Sequence, residues 1–180
     1  EKKGVTRKID MHLKRNKAKG VAIDGIPIRK SGELIGLVNI VFFSPEDLRI
    51  IKHGPSERRR FVDMELCQLD KVYFHDLTKY NHIINQRNTL LKQISFNQNL
   101  LGTLDIWDEQ LIECGLRIIK RRAQHIKHLN EIVAPIHEKL SGGRENLVLQ
   151  YEANATVEDF ALKVSQNRER DLFQKMTNVG

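Results

Sequence analysis

Apolar residues recur on a two-residue rhythm at the start of the chain and on a rhythm of threes and fours after residue 55. Val5, Ile9, Met11 and Leu13, then Val21 and Ile23, fall in residues 4–14 and 20–24 with mixed alternation, the pattern of strands with one face on a core. Asp24-Gly25 supplies a two-residue hairpin turn into Ile26-Pro27-Ile28, so a β-meander is expected to open the chain. A short helical turn over 32–36 follows. Residues 37–43 are then almost continuously apolar, which predicts a strand buried on both faces of a sheet.

Ser44-Pro45-Glu46-Asp47 reads as a helix start. Ser is a good N-cap, Pro at the first helical position loses no needed N–H, and acids in the first turn meet the positive end of the dipole. Asp47, three residues after Ser44, can close a loop like a capping box. The helix is expected to stop at His53-Gly54, with Pro55 starting the next.

From 55 to 140 the pattern is helical. Leu77, Tyr80, Ile84, Leu91 and Ile94 form a narrow apolar seam, with Arg87 or Asn88 at its missing position. A second seam runs through Leu104, Trp107, Leu111, Cys114 and Ile118, and on through Ile126, Leu129, Val133, Ile136 and Leu140. Arg121 and His125 stand where a strict heptad would place apolar residues, so the seam slips by a stutter. A helix of roughly 38 residues is about 57 Å long, which makes it part of a projecting arm. Gly142-Gly143 should stop it, 147–151 reads as a strand rejoining the first sheet, and Val157, Phe160, Val164, Leu172 and Met176 predict a last helix over 156–176. The expected fold class is α+β, a long antiparallel, coiled-coil-like helical arm inserted in a small β-rich lobe. The lobe would take residues 1–44 with 145–153, and the arm 45–141 with 156–177.

Composition adds a partner class to this outline. With 40% hydrophobic and 29% charged residues among 180, the chain can bury a core, and 30 Lys and Arg against 23 Asp and Glu give a net charge of +7. That excess favours polyanions, nucleic acid first, and says nothing about fold. Cys67 and Cys114 lie among apolar residues and are read as buried thiols in a reducing compartment. No apolar run approaches the ~18 residues of a membrane span. A cytoplasmic protein without membrane partners is expected. The absence of an initiator Met and a start within a charged run suggest a fragment.

Nucleotide chemistry would need a Gly-x-x-x-x-Gly-Lys-[Ser/Thr] loop, whose backbone N–H groups wrap phosphates. The 180 residues contain none, nor a strand ending in paired acids. Leu140-Ser141-Gly142-Gly143-Arg144 looks like a transporter-type signature peptide, but it follows a helix instead of opening one, so the glycines are read as a C-cap. Arg58, Arg59 and Arg60 are either a solvated face with Asp63 as a helical partner or a contact to phosphate or protein, since three successive arginines cannot share one acid. Arg117, Lys120, Arg121, Arg122 and Lys127 form a second basic patch. Without interleaved aromatics it could follow a nucleic-acid backbone only blindly to sequence; the alternative is an exposed arm face. His125 and His128 lack further ligands for a metal, and no catalytic constellation stands out. These residues alone are not expected to form an enzyme.

The motifs are more specific in combination. The order FSPEDL at 43–48, Ile50-Ile51, Gly54-Pro55, RRRF at 58–61 with Asp63, Tyr80-Asn81 and QRNTLLK at 86–92 resembles the RecF family of bacterial recombination and replication-repair proteins. His53 stands where that family commonly has Gly. The resemblance makes Ser44, Pro45, Glu46, Asp47, Gly54, Pro55 and Asp63 a structural junction. It further implies part of a head like those of SMC and ABC-type ATPases, with the Walker A loop upstream of Glu1 and the signature and Walker B segments downstream of Gly180. ATP and Mg would then be cofactors of the complete protein only, and no ATP-binding residue lies within this chain. The implied activity is ATP-dependent DNA binding at duplexes and single/double-strand junctions, with RecR and RecO as partners and an ATP-dependent homodimer. Gap repair, replication restart and the SOS response would be its settings. The alternative is a helical interaction module whose basic arm binds a repair partner instead of DNA.

Overall fold

The computed structural model describes residues 6–16, 19–42 and 44–179. Its contacts divide the chain into two compact units, Glu1–Lys71 and Val72–Gly180. The units part inside the run of helices, whereas the sequence reading divides lobe from arm between 44 and 45.

The first unit opens with the expected meander. β1 (Ile9–His12), β2 (Gly20–Ile23) and β3 (Ile26–Pro27) form an antiparallel sheet in that order, with Ile9 opposite Ile23 and His12 opposite Gly20. Asp24 and Gly25 turn the β2–β3 hairpin at φ 52° and 80°, the left-handed values that its right-handed twist favours. The Asp24 carboxylate accepts from the Lys8 backbone N–H at 2.8 Å and from Arg7 Nη1 at 2.6 Å. Both contacts hold its carboxyl below the ordinary range, the backbone bond more strongly.

The expected strand at 37–43 does not form. Among the described residues the sheet ends at β3, and the stretch has an isolated bridge from Ile35 to Val38, turn bonds from the Leu37 and Val38 N–H groups to the Leu34 carbonyl, and one bond from the Ile40 N–H to Gln68 Oε1 at 2.8 Å. Ile40, Val41 and Phe42 are exposed, Val41 by 98%; Phe43 lies outside the described residues. An apolar run becomes a strand only where neighbours satisfy its backbone groups, and hydropathy alone does not supply them.

The Ser44 junction follows its sequence closely. Ser44 Oγ accepts from the Glu46 N–H at 3.2 Å, and Asp47 Oδ2 accepts from the Ser44 N–H at 2.6 Å, a reciprocal cap of the capping-box kind. A 3₁₀ turn (Pro45–Leu48) leads into α1 (Arg49–Lys52), and Gly54 then caps α2 (Pro55–Leu69) with Pro55 at its first position. On α2, Leu66 and Cys67 are buried. Burial first, then Asp63 and Asp70, pushes the Cys67 thiol up to about 11.

In the second unit, α3 (Lys71–Ile94) and α4 (Leu104–Ser141) run antiparallel: Arg87 meets Asp108, Asp76 meets Arg117, and Tyr73 meets Arg122. The core lies between them. Leu90, Leu91, Ile94 and Leu104 form one buried cluster, with Leu100, Trp107 and Leu172 against it. Further along, Leu111, Cys114 and Ile118 of α4 are buried as their spacing predicts. Past residue 122 the helix outruns the start of α3, and exposure rises through Ile132 and Ile136 to 80% at Leu140. Pro135 sits inside α4, an interior position that ordinarily costs about 3 kcal/mol. Gly142 closes the helix at φ 64°, with the Gly143 N–H on the Glu138 carbonyl at 2.8 Å, so the C-cap reading of the glycines holds.

Residues 147–151 do not form the expected strand and do not join the sheet. Instead they lie extended along α4, where the Asn130 amide accepts from the Leu149 N–H at 2.7 Å and donates to the Leu149 carbonyl at 2.6 Å. One side chain thus supplies the paired bonds of a neighbouring strand. Leu147, Leu149 and Tyr151 are half-buried and Val148 and Gln150 exposed, so the alternation is real although the partner is a helix.

The single helix expected over 156–176 is two, α5 (Phe160–Gln166) and α6 (Arg168–Gln174). Thr156 and Asp159 cap the entry reciprocally at 2.6 and 3.3 Å. Asn167 marks the break, its side-chain amide donating to the Lys163 carbonyl at 2.9 Å, the local bonding by which Asn competes with helix continuation.

The missing position in the α3 seam belongs to Arg87, which is fully buried. Its Nε donates to Asp108 and its Nη1 to Asp171, both at 2.7 Å, and Nη1 also reaches Thr177 Oγ1 at 2.9 Å. Asp171 in turn accepts from the backbone and side chain of Asn178, while Asn88 Oδ1 accepts from the Thr177 N–H. One guanidinium therefore ties α3, α4, α6 and the following residues together.

Tyr80 gives this core a pH signature. Burial pushes its phenol up from 10 to about 12, with Arg122 opposing the shift. A folded value above the unfolded one means the group's contribution to stability is intact below pH 10 and is lost as pH rises toward 12. An ultraviolet titration should show a late step from Tyr80, and substitution Tyr80→Phe should remove it.

Candidate nucleic-acid interface

The eight arginines and lysines singled out by sequence fall into two groups. Arg58 turns back on its own unit: its Nη1 donates to the His53 carbonyl at 3.1 Å and the Ile50 carbonyl at 3.4 Å. A cation there satisfies the last carbonyls of α1 and faces the negative end of its dipole. Arg59 and Arg60 are exposed and make no hydrogen bond or ion pair among the described residues. Half-buried Asp63 is engaged within the structure.

On α4 the division is sharper. Arg117 is held by Asp76 at 3.0 Å and by Glu113 at 2.7 Å, and these carboxylates, Asp76 first, hold its guanidinium still further toward the charged form. Glu113 is correspondingly kept below its ordinary range by the Arg117 bond. Arg122 points inward, its Nε donating to Tyr73 Oη at 3.1 Å. These two arginines fasten α4 to α3.

Lys120, Arg121 and Lys127 are exposed. At about 100° per residue they share, with exposed Gln124 and His128, a sector of roughly 120°, while Arg122 lies on the far side. Lys120 and Lys127 are about 10 Å apart along the axis. Glu113 is paired with Arg117, Glu131 Oε2 lies 3.4 Å from His128 Nδ1, and Arg121 is itself engaged within the structure.

Such a face offers point charges to an anionic partner, a nucleic-acid backbone or an acidic protein surface. Among the described residues no three His, Cys, Asp or Glu side chains group as metal ligands, and no helix is long and apolar enough to cross a membrane. Sequence reasoning missed Arg87, Asp108 and Asp171 as the buried charged centre. The signal was present, because an arginine at a seam position among Tyr80, Leu91 and Ile94 must bring its counterions inside.

Comparison with known proteins decides the family. No family model matches the chain. It is 58% identical over 176 residues to the DNA replication and repair protein RecF of Lachnoclostridium phytofermentans, covering 98% of this chain and 49% of that protein. The RecF of Lachnospira eligens is 54% identical over 181 residues, covering 99% of this chain and 50% of that protein. A solved structure of the recombination mediator protein RecF with ATPrS, in the RecFOR pathway, superposes with TM-score 0.85 at 34% identity over 97% of this chain and 49% of that one.

The chain belongs to the RecF family.

It spans about half the length of the RecF relatives it matches. The helix-rich fold with its small three-stranded antiparallel sheet is the RecF fold over this span. Both curated relatives carry the name DNA replication and repair protein. A second RecF structure, with ATP, superposes at TM-score 0.83 and 33% identity.

Proposed function

We propose that this chain supplies the DNA-backbone contact of a RecF protein, and that the contact is the Lys120, Arg121 and Lys127 face of α4. The observation that supports it is the sorting of cations on one helix: Arg117 and Arg122 are bonded to α3, while Lys120 and Lys127 stand exposed in one sector that exposed Arg121, itself engaged within the structure, borders. Their chemistry is point-charge neutralisation of phosphates, which positions a protein on nucleic acid without reading its sequence. In this reading the complete protein binds ATP and Mg through segments outside the chain, dimerises in response, and meets duplexes and single/double-strand junctions with RecR and RecO in gap repair. Replication restart, the SOS response and a cytoplasmic location belong to the same proposal. So does the assignment of 1–44 with 145–153 to the rim of an ATPase lobe and of 45–141 with 156–177 to the arm.

Charge reversal tests it. Lys120→Glu with Lys127→Glu should leave circular dichroism unchanged, since both side chains are exposed, and weaken duplex affinity at low salt by about a hundredfold or more. Unchanged DNA affinity with lost RecR pull-down would instead support the protein-binding module. Arg59→Ala with Arg60→Ala, in the same assay, asks whether α2 shares the contact.

A further inference from the structure

The end of the second unit opposite the basic face carries a feature that DNA contact does not use. Where α3 turns toward α4, a cleft of about 250 Å³ opens between Leu91, Ile94, Ser95, Gln98, Leu101 and Leu172. It lies at least about 24 Å along α4 from Lys120. Four of its six lining residues are aliphatic, and the apolar surface continues outside: Phe96, beside Ser95, is 89% exposed, and Phe173, beside Leu172, is 86% exposed. Two large aromatic side chains in water next to an apolar cleft mark a contact surface.

Cations border it. Lys175 lies over the Phe96 ring, its Nζ 5.7 Å from the centroid, and Arg168 Nη2 donates to the Leu101 carbonyl at 3.5 Å. Exposed Lys92 follows Leu91, and its carbonyl receives the Ser95 hydroxyl at 2.7 Å. Among the described residues neither Lys92 nor Lys175 has a carboxylate partner. Three acids of this end are already paired, Asp105 with Arg168 and Asp108 and Asp171 with Arg87, which leaves exposed Glu169, one turn before Leu172, as the acid beside it.

We infer that this cleft docks an acidic peptide segment, which seats one apolar side chain against Leu101 and Leu172 and sets its carboxylates beside Lys92 and Lys175. A nucleic-acid strand fits less well. Phosphate would be desolvated against leucines that donate nothing, the Ser95 hydroxyl is already committed, and Lys175 covers a face of Phe96 on which a base would stack. A single anchor in an apolar cleft with a charged rim is the ordinary anatomy of a short-segment interface.

The probe is a set of fluorescein-labelled 12-residue peptides of Asp and Glu with a central Phe, Leu or Trp, titrated into the 180-residue chain at low salt. An anchor-bearing peptide should bind, with amide shifts centred on Ser95, Gln98 and Leu101, and replacement of the anchor by Ala should weaken binding about tenfold. Leu101→Asp should weaken it by about the same factor, and Lys175→Gln by less, with added salt weakening it further. Gln98→Lys, on an exposed position, provides a cleft variant that does not depend on how well Leu101→Asp folds; it should displace the same amide shifts. No binding by any of the three peptides, binding indifferent to the anchor or to both cleft variants, or saturation of the same amides by oligothymidine would each overturn the inference. The Lys120→Glu, Lys127→Glu variant should bind the peptide normally, which separates this site from the DNA face.

Discussion

Substituting Arg87→Leu should destabilise the second unit by about 3–5 kcal/mol, the usual cost of stranding buried charges. The side chain is fully buried, and its two carboxylates, Asp108 and Asp171, are 8% and 2% exposed, so both are largely cut off from water. For a domain near 100 residues that loss corresponds to roughly 15–25 °C in melting temperature. Removing the stranded charges as well should recover part of it: Arg87→Leu with Asp108→Asn and Asp171→Asn should melt above the single variant, because neutral amides cost less to bury than unpaired carboxylates. Thermal denaturation by circular dichroism reads both. Arg59→Ala, at an exposed arginine without a partner among the described residues, should change stability by no more than about 0.5 kcal/mol. Equal effects from Arg87 and Arg59 would show that the buried network does not hold the helices together.

Gly115→Ala should be the second large loss, with a sign opposite to helix propensity. In a helix interior this substitution normally gains about 1 kcal/mol. Here a Cβ would stand 2.3 Å from Phe160 Cε1 and 2.6 Å from Cζ, and the Phe160 ring is fully buried. Overpacking of this kind costs about 1–3 kcal/mol, occasionally more, and Gly115→Val should cost more than Gly115→Ala. If the clash is the cause, Phe160→Leu should relieve it: the double variant Gly115→Ala, Phe160→Leu should lose less than the two single losses added, a coupling that urea denaturation of the four proteins measures. Strict additivity would mean that α5 does not seat its ring on Gly115.

These two residues also show where sequence was informative and where it was not. Local chemistry was legible: Asp24-Gly25 makes its hairpin turn, Ser44 and Asp47 cap each other, Pro55 opens α2, and Gly142 ends α4, each a short-range rule acting on neighbours. Periodicity located α3 and α4, because a seam of Leu111, Cys114 and Ile118 needs only a facing helix. What failed depended on distant partners. The apolar run at 37–42 finds no sheet among the described residues, and 147–151 takes its strand-like bonds from Asn130. Gly115 inside α4 takes its reason from Phe160, far off in sequence, which no local rule supplies. The basic cluster was visible as a cluster, yet nothing in its spacing separated Arg117 and Arg122, bound inward, from Lys120 and Lys127, exposed outward. Asp76 and Tyr73, contributed by another helix, make that distinction.

The central claim is that the exposed cations of α4 act on phosphate, and the salt dependence of duplex binding tests it most directly. Two or three neutralised phosphates predict a log–log slope of about −2 to −3 for this chain, and about −1 or less after Lys120→Gln with Lys127→Gln. A slope near zero, or the same slope in both proteins, would contradict it.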